Sequence, residues 1–232
     1  MPPQRTNSAR AIRAPQIPAR LVAAALPTER LEDHEHYHAL ALEQQDLSGQ
    51  TATRPGFDGV RFTQVNLSAT HLREPQILDV RFQHCNFANA EWPNALLQRV
   101  EVLDCRLTGF TLVEGKLRDV RFKDCHAELA KFRFMSFNAV RFDHCLLVEA
   151  DFHHADLSGV VFAGCDLRNA EMSGAKLAGA DLRGCLIDGL RVGLAELRGA
   201  IVDPAQAIAI VRNFGLTVEW SADDPAAGRA IE

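Results

Sequence analysis

The chain has 232 residues, of which 47% are hydrophobic and 24% charged, and a formal net charge of −5. This is ordinary soluble-protein composition, long enough for one well-cored domain. The mild negative charge argues against nucleic-acid binding by bulk electrostatics, and no apolar run approaches the eighteen or so residues of a membrane span.

Residues 1–36 are rich in Pro, Arg and Ala and are expected to form an irregular leader, partly disordered. They lack a continuous apolar segment before a small-residue cleavage site, so no secretory signal is expected and the location is read as cytoplasmic. Ile17, Leu21, Val22 and Leu26 are placed across the open first coil of the repeated region that begins at 37. LEDHEHYH, Leu31 to His38, sets His34, His36 and His38 among Glu32, Asp33 and Glu35. Such tracts can hold metal, but alternate spacing in an unrepeated leader points to adventitious binding.

From 37 to 202 the pattern has a period of five. Large apolar residues occupy 57, 62, 67 and every fifth position to 202, with Ala127 as the exception among thirty. Two residues before each lies a second column, Val60 to Ala200, made mostly of Ala, Val and Cys. Phe110, Gly115 and Met135 depart from that column. A period of five fits neither a helix at 3.6 nor a strand at 2. It fits a β-solenoid, in which each unit buries its apolar face only by stacking on neighbours.

A period of twenty is nested in the first. VRFQHC, VRFKDC and VRFDHC begin at Val80, Val120 and Val140, and the six cysteines stand at 85, 105, 125, 145, 165 and 185. Four fives therefore make one square coil, with residues twenty apart stacked at strand spacing, about 4.8 Å. About eight coils are expected. Phe62, Phe82, Phe122, Phe142 and Phe162 fill the centre, and Cys85, Cys105, Cys125, Cys145, Cys165 and Cys185 are reduced core filler rather than a disulfide set. The first coil has Gln45, Gln50 and Ala52 in interior positions ahead of Arg54-Pro55-Gly56, where a loop or distorted turn is expected.

Residues 203–220 carry a helix signal: Asp203 as N-cap, Pro204 at the first helical position and Gly215 after Phe214. Ile208, Val211, Phe214 and Trp220 form its expected capping or dimerising face, with Leu216 to Trp220 as a short strand. Residues 221–232 are read as a flexible tail.

The motifs DLSGV, DLRNA and ADLRG, at Asp156 to Val160, Asp166 to Ala170 and Ala180 to Gly184, resemble the A-(D/N)-L-x-x consensus of the pentapeptide-repeat family. The resemblance covers about 57–202 without insertion. It implies an all-β fold, the right-handed quadrilateral β-helix, here with a capping α-helix. It also implies a bacterial, non-enzymatic interaction protein. Members of the gyrase-protecting, quinolone-resistance type add a sharper expectation: a DNA mimic binding gyrase or another topoisomerase, with pairing of two copies through the C-terminal ends. The register shows none of the projecting loops of the Qnr-type resistance proteins.

The outward residues are the functional candidates. For a protein partner these are Arg121, Arg141, Glu149, Asp151, Asp156, Asp166, Glu171, Asp181 and Phe134, with Leu129, Leu146 and Val148 beside them as an apolar patch. Residues 57–142 carry twelve Lys/Arg against ten Asp/Glu, and 143–202 carry five against nine, so the later part is the acidic one. An alternative is a metal-binding or catalytic surface on His84, Asp104, Asp124 and His144. An insertion-free solenoid supplies no cleft for catalysis, and the plain reading of that column is a solvated charge ladder. A second alternative is nucleic-acid binding through Arg61, Arg81, Arg121 and Arg141. His153 and His154 read as surface residues. No phosphate loop, nucleophile elbow, zinc-protease or paired-cysteine motif is present, and no cofactor is expected.

Overall fold

The period of five becomes visible as walls and corners. A computed structural model describes residues 11–24 and 31–219; Leu26, Trp220 and the tail lie outside the described residues. Among the described residues twelve strands precede one helix. They are β1 Val22–Ala23, β2 His36–His38, β3 Leu40–Glu43, β4 Thr51–Thr53, β5 Gly56–Asp58, β6 Arg61–Thr63 and β7 His71–Arg73, then β8 Gln76–Gln83, β9 Leu96–Leu103, β10 Lys116–Lys123, β11 Ser136–Asp143 and β12 Val161–Ala163. The helix, α1, spans Pro204–Asn213.

From β2 onward every strand pairing is parallel and joins residues twenty apart, for example Val100 to Val120 to Val140. The ladder through Ala41, Arg61, Arg81, Glu101, Arg121, Arg141, Val161, Asp181 and Ile201 runs the length of the fold. Three further ladders pass through Asn66, His71 and Gln76. These four ladders are the four walls, numbered here one to four from the Arg61 ladder onward. The molecule is a right-handed quadrilateral β-helix.

The interior follows the register. Phe122, Phe142 and Phe162 stack at ring-centroid distances of 4.7 and 5.1 Å with planes 6° apart. Every cysteine is buried and unpaired. Cys125 Sγ donates to the Lys123 and Val102 carbonyls at 3.3 and 3.4 Å, and burial pushes the Cys105 thiol up. A protonated thiol donating to a carbonyl is a good filler for a small interior position.

The outliers of the small column are accommodated individually. Phe110 packs its ring against Phe87 and Trp92, each at a centroid distance of 5.5 Å. Met135 sits under Gly115, whose N–H points at its sulfur 3.0 Å away. A residue too large for its place thus stacks on the one residue in the column with no side chain.

The ends differ from the sequence expectations. No loop forms at Arg54-Pro55-Gly56: β4 and β5 pair with β7 and β8 on either side, and Arg54 takes the same left-handed φ as the other corners. The polar interior residues make this regularity work, because Gln50 Oε1 accepts the Leu31 N–H at 2.7 Å and the Gln45 amide donates to the Ala24 carbonyl. The coil begins earlier than Tyr37, with Leu31 fully buried and β2 already in register with β5. Residues 11–24 lie along the outside of the solenoid, and at their end β1 pairs with β3 of the first coil.

At the other end α1 starts as expected, with a capping box between Asp203 and Gln206 and Pro204 in the first turn. It stops at Gly215, whose φ is +80° and whose N–H reaches the Arg212 carbonyl. Its buried face is Gln206 and Ile210, not the expected 208–211–214 line: Ile208 and Val211 are half-buried and Phe214 is exposed. The reason is polar. Gln206 Nε2 donates to the Leu182 and Cys185 carbonyls at 2.6 and 2.8 Å, covering the last coil's free edge, and this turns the helix about its axis. The stretch 216–219 forms no strand. No helix among the described residues is long and apolar enough to cross a membrane.

Candidate functional site

Between the walls lie corners at every fifth residue, where the backbone is left-handed. His84, Asp104, Asp124 and His144 all have φ between 50° and 54°. Left-handed backbone disfavours most L-residues and is tolerated best by Gly, Asn, Asp and His. Gln64, His84, Asp104, Asp124, His144 and Gly164 form one corner column, and all of these except Gln64 are of the types that tolerate that geometry best. Asp124 pairs with Lys123 at 3.3 Å, and a His84 ring nitrogen meets the Gln83 amide at 3.4 Å. Among the described residues, no three His, Cys, Asp or Glu side chains gather as a metal site. The His-rich tract is equally local: His36 and His38 belong to β2, and His38 Nδ1 lies 3.4 Å from Asp58.

The arginine column on wall one is occupied internally. Arg81 meets Glu101 at 2.7 Å, and Arg61 reaches Glu43 at 3.6 Å. Arg121 and Arg141 converge on one carboxylate, Asp143, which is buried between them. Two stacked cations would repel, and the shared anion removes that cost. Their guanidinium faces remain partly open to solvent.

The acidic candidates do not share a face. Asp181 lies on wall one, Asp166 on wall two, Asp151 and Glu171 on wall three, and Asp156 on wall four. Glu149 stands at the corner between walls two and three. Cations accompany four of them: Arg168 on Asp166, Lys176 on Asp156, Arg183 on Asp181 and Arg133 on Asp151. The side chain of Glu171 accepts the Ser173 N–H at 2.8 Å. These pairings sit two residues apart or on neighbouring coils, eighteen or twenty residues apart, which is why a plain count of charge in the sequence did not reveal them.

Phe134 is half-exposed, stacked on His154 at 5.4 Å with His153 at its edge. Leu129 and Leu146 are exposed and Val148 half-buried around an adjoining corner. Phe214 and Leu216 are exposed beyond the last coil, and Leu194 is exposed within it.

Three carboxylates hold arginines tightly enough to titrate low. Hydrogen bonds from Arg99, Arg168 and Arg183 hold Asp79, Asp166 and Asp181 respectively below the usual aspartate range. Backbone N–H groups of Gln206 and Gly184 do the same for Asp203. A carboxylate whose folded pKa is depressed contributes stability above its unfolded pKa and loses it as pH falls through the folded value. Thermal stability is therefore expected to be flat from neutral pH to about pH 5 and to fall below about pH 4. Melting followed by circular dichroism checks this; a protein more stable at pH 3 than at pH 6 would contradict the pairings.

Family models match the coiled residues. The family described as Pentapeptide repeat region matches residues 51–132 and 75–152, and that of Pentapeptide repeats matches 145–184. No curated protein matches the sequence. Among solved structures, the plasmid-mediated fluoroquinolone resistance protein QnrB1 is 18% identical, with 78% of this chain and all of that chain covered and a TM-score of 0.41. HetL, a pentapeptide repeat protein involved in heterocyst differentiation regulation in the cyanobacterium Nostoc sp. strain PCC 7120, is 18% identical over 73% of this chain and 90% of that one, with a TM-score of 0.33. Rfr23 from the cyanobacterium Cyanothece 51142 is 17% identical over 49% of this chain and 64% of that one, with a TM-score of 0.22.

Proposed function

Because the chain belongs to the pentapeptide-repeat family, we propose that it is a non-enzymatic cytoplasmic scaffold whose rigid walls present side chains to a protein partner. The observation that carries this reading is the unbroken stacking of residues twenty apart from Ala41 to Ile201. Such stacking holds outward groups at a fixed spacing of about 4.8 Å, so that binding costs little ordering entropy. Partly open Arg121 and Arg141, exposed Phe134 and the acidic residues of 143–202 supply the contacts.

The finer form of the proposal names DNA gyrase or a related topoisomerase as partner, with quinolone or toxin resistance as the outcome. The rod shape and the acidic excess after residue 143 favour it. The spread of the acids over four walls, four of them paired with a local cation, gives a weaker phosphate-like stripe than mimicry of a duplex calls for. Two copies would pair through the C-terminal end, where Phe214 and Leu216 are exposed. Titrating the purified chain into gyrase supercoiling and quinolone-cleavage assays tests the partner: inhibition of supercoiling or protection from cleavage is expected. No change in either would end the gyrase reading while leaving the scaffold reading open to pull-down.

A further inference from the structure

Residues 11–24 form an extended strap along the corner between walls four and one, antiparallel to the advance of the coils. The Arg13 N–H donates to Asp119 Oδ1 at 3.3 Å and the Gln16 N–H to Asp79 Oδ1 at 2.8 Å. Pro18 then presses on Gly59, where an added Cβ would lie 2.7 Å from its Cδ. The Val22 and Ala24 N–H groups reach the carbonyls of Ala39 and Ala41 at 2.9 and 3.1 Å. Three residues of strap span the two coil steps between Asp119 and Asp79, matching fully extended backbone at about 3.3 Å per residue. Pro15 and Pro18 favour that conformation and carry no N–H needing a partner.

The corner is built to receive such a segment. Asp79, Arg99 and Asp119 occupy successive positions in it, all largely buried, with Arg99 clamping Asp79 through two 2.6 Å hydrogen bonds. Asp119 is 1% exposed, and its Oδ2 has no hydrogen-bond partner among the described residues; Arg13 Nε lies 3.4 Å away and Arg118 Nε 3.8 Å. A buried carboxylate oxygen without a full hydrogen bond is costly, and it faces the strap.

The strap fits its groove loosely. Arg13 is 53% exposed. A cleft of about 350 Å³ stays open where Ala11, Ile12 and Ala14 face Arg121, Val140 and Arg141, and another of about 820 Å³ where Ile17 to Leu21 face Ala41, Glu43 and Arg61. Few contacts and unfilled space mean low local stability against opening.

We propose that this corner is a docking groove for an extended, proline-punctuated segment of another protein that carries an arginine at the place of Arg13, and that residues 11–24 are its resident occupant in cis. Carboxylates at Asp79 and Asp119 accept the incoming backbone N–H groups, Asp119 Oδ2 takes the guanidinium, and Gly59 admits a proline. Arg121 and Arg141 line one of its clefts, and Asp156 and Asp181 stand on the two walls that meet at this corner. But the test reads peptide binding rather than gyrase activity, so the gyrase reading can fail without touching it.

The test uses a fluorescent peptide with the sequence of residues 11–24 and the full-length chain. In the variant R13E/Q16P the strap loses its cation and its donor to Asp79. That variant is expected to bind the peptide saturably and at least tenfold more tightly than wild type, and adding Gly59→Leu is expected to weaken binding tenfold or more. Equal binding to wild type and variant, or binding indifferent to Gly59→Leu, overturns the proposal. Hydrogen exchange on the unaltered chain provides an independent reading, with the amides of Arg13 and Gln16 exchanging at least a hundredfold faster than those of Val120 and Phe122. Equal protection would make the strap a permanent part of the fold and overturn it. A wild-type dimer that R13E/Q16P does not form would also overturn it, in favour of strap exchange between two copies.

Discussion

Phe142→Ala is expected to destabilise the chain by about 3–5 kcal/mol, the range for truncating a fully buried aromatic residue. Phe142 is the middle ring of the Phe122–Phe142–Phe162 stack and also meets Phe132, Phe137 and Phe152 edge-on or tilted. Its neighbours are tied to the coil by backbone hydrogen bonds on both sides, so the walls cannot collapse into the void. Lys123→Ala, one coil down and half-exposed, is expected to cost less than about 0.5 kcal/mol. Shifts in the urea midpoint compare the two. Equal costs would mean that the interior register is wrong, since only the register separates them. Coils unfold with their neighbours in a solenoid, so the loss should also appear as faster exchange of amides around Val140 before those of the terminal coils.

Gly115→Ala is expected to cost about 2 kcal/mol, although it adds a single methyl group. An alanine Cβ there would lie 2.4 Å from the Ala95 carbonyl oxygen. That oxygen accepts the Lys116 N–H at 2.9 Å, so it cannot withdraw without breaking a stacking hydrogen bond. On the other side Met135 fills the space that the glycine leaves. The comparison is Gly159→Ala, at a corner with φ +72° and open space around the added atom. There the cost is only the left-handed backbone, about 1 kcal/mol, which alanines at 39, 69 and 139 already bear. If urea denaturation gave Gly159→Ala the larger cost, the tight packing of the Ala95–Gly115–Met135 column would be refuted.

Both predictions rest on features that were partly legible before any coordinates. Phe142 is the simpler case: its place in the fives marks it as interior, and the structure put it there. Gly115 and Met135 were visible as departures from the small column, twenty residues apart, but the spacing alone did not say that they stack in compensation. The helix shows the same division. Asp203, Pro204 and Gly215 marked its ends correctly, because caps are local chemistry. Its buried face was misjudged because Gln206, a polar residue, turns inward to satisfy the Leu182 and Cys185 carbonyls. Apolar periodicity cannot anticipate a contact made for hydrogen bonding. The loop expected around Arg54 failed for a related reason: glutamines in interior positions looked like a fault, yet their amides cap backbone groups at the coil's open end.

The candidate sites divide likewise. The Asp and His of the corner column looked like chemistry when read as residue types, and the backbone supplies a plainer cause, since those types tolerate φ near +50°. The acidic residues looked like one surface when counted along the chain, and the coil distributes them around four walls.

The interior, the pitch of twenty, the parallel stacking and the family could all be read from the residues alone, because each is a periodic property that every coil repeats and that burial enforces at each step. Three-dimensional packing was needed to establish which arginine shares which carboxylate, how the ends are closed, and that residues 11–24 lie along a corner. Those contacts join Arg13 to Asp119 and Gln16 to Asp79, 106 and 63 residues apart. They occur once, obey no period, and join buried carboxylates of the coil to a segment outside the repeat.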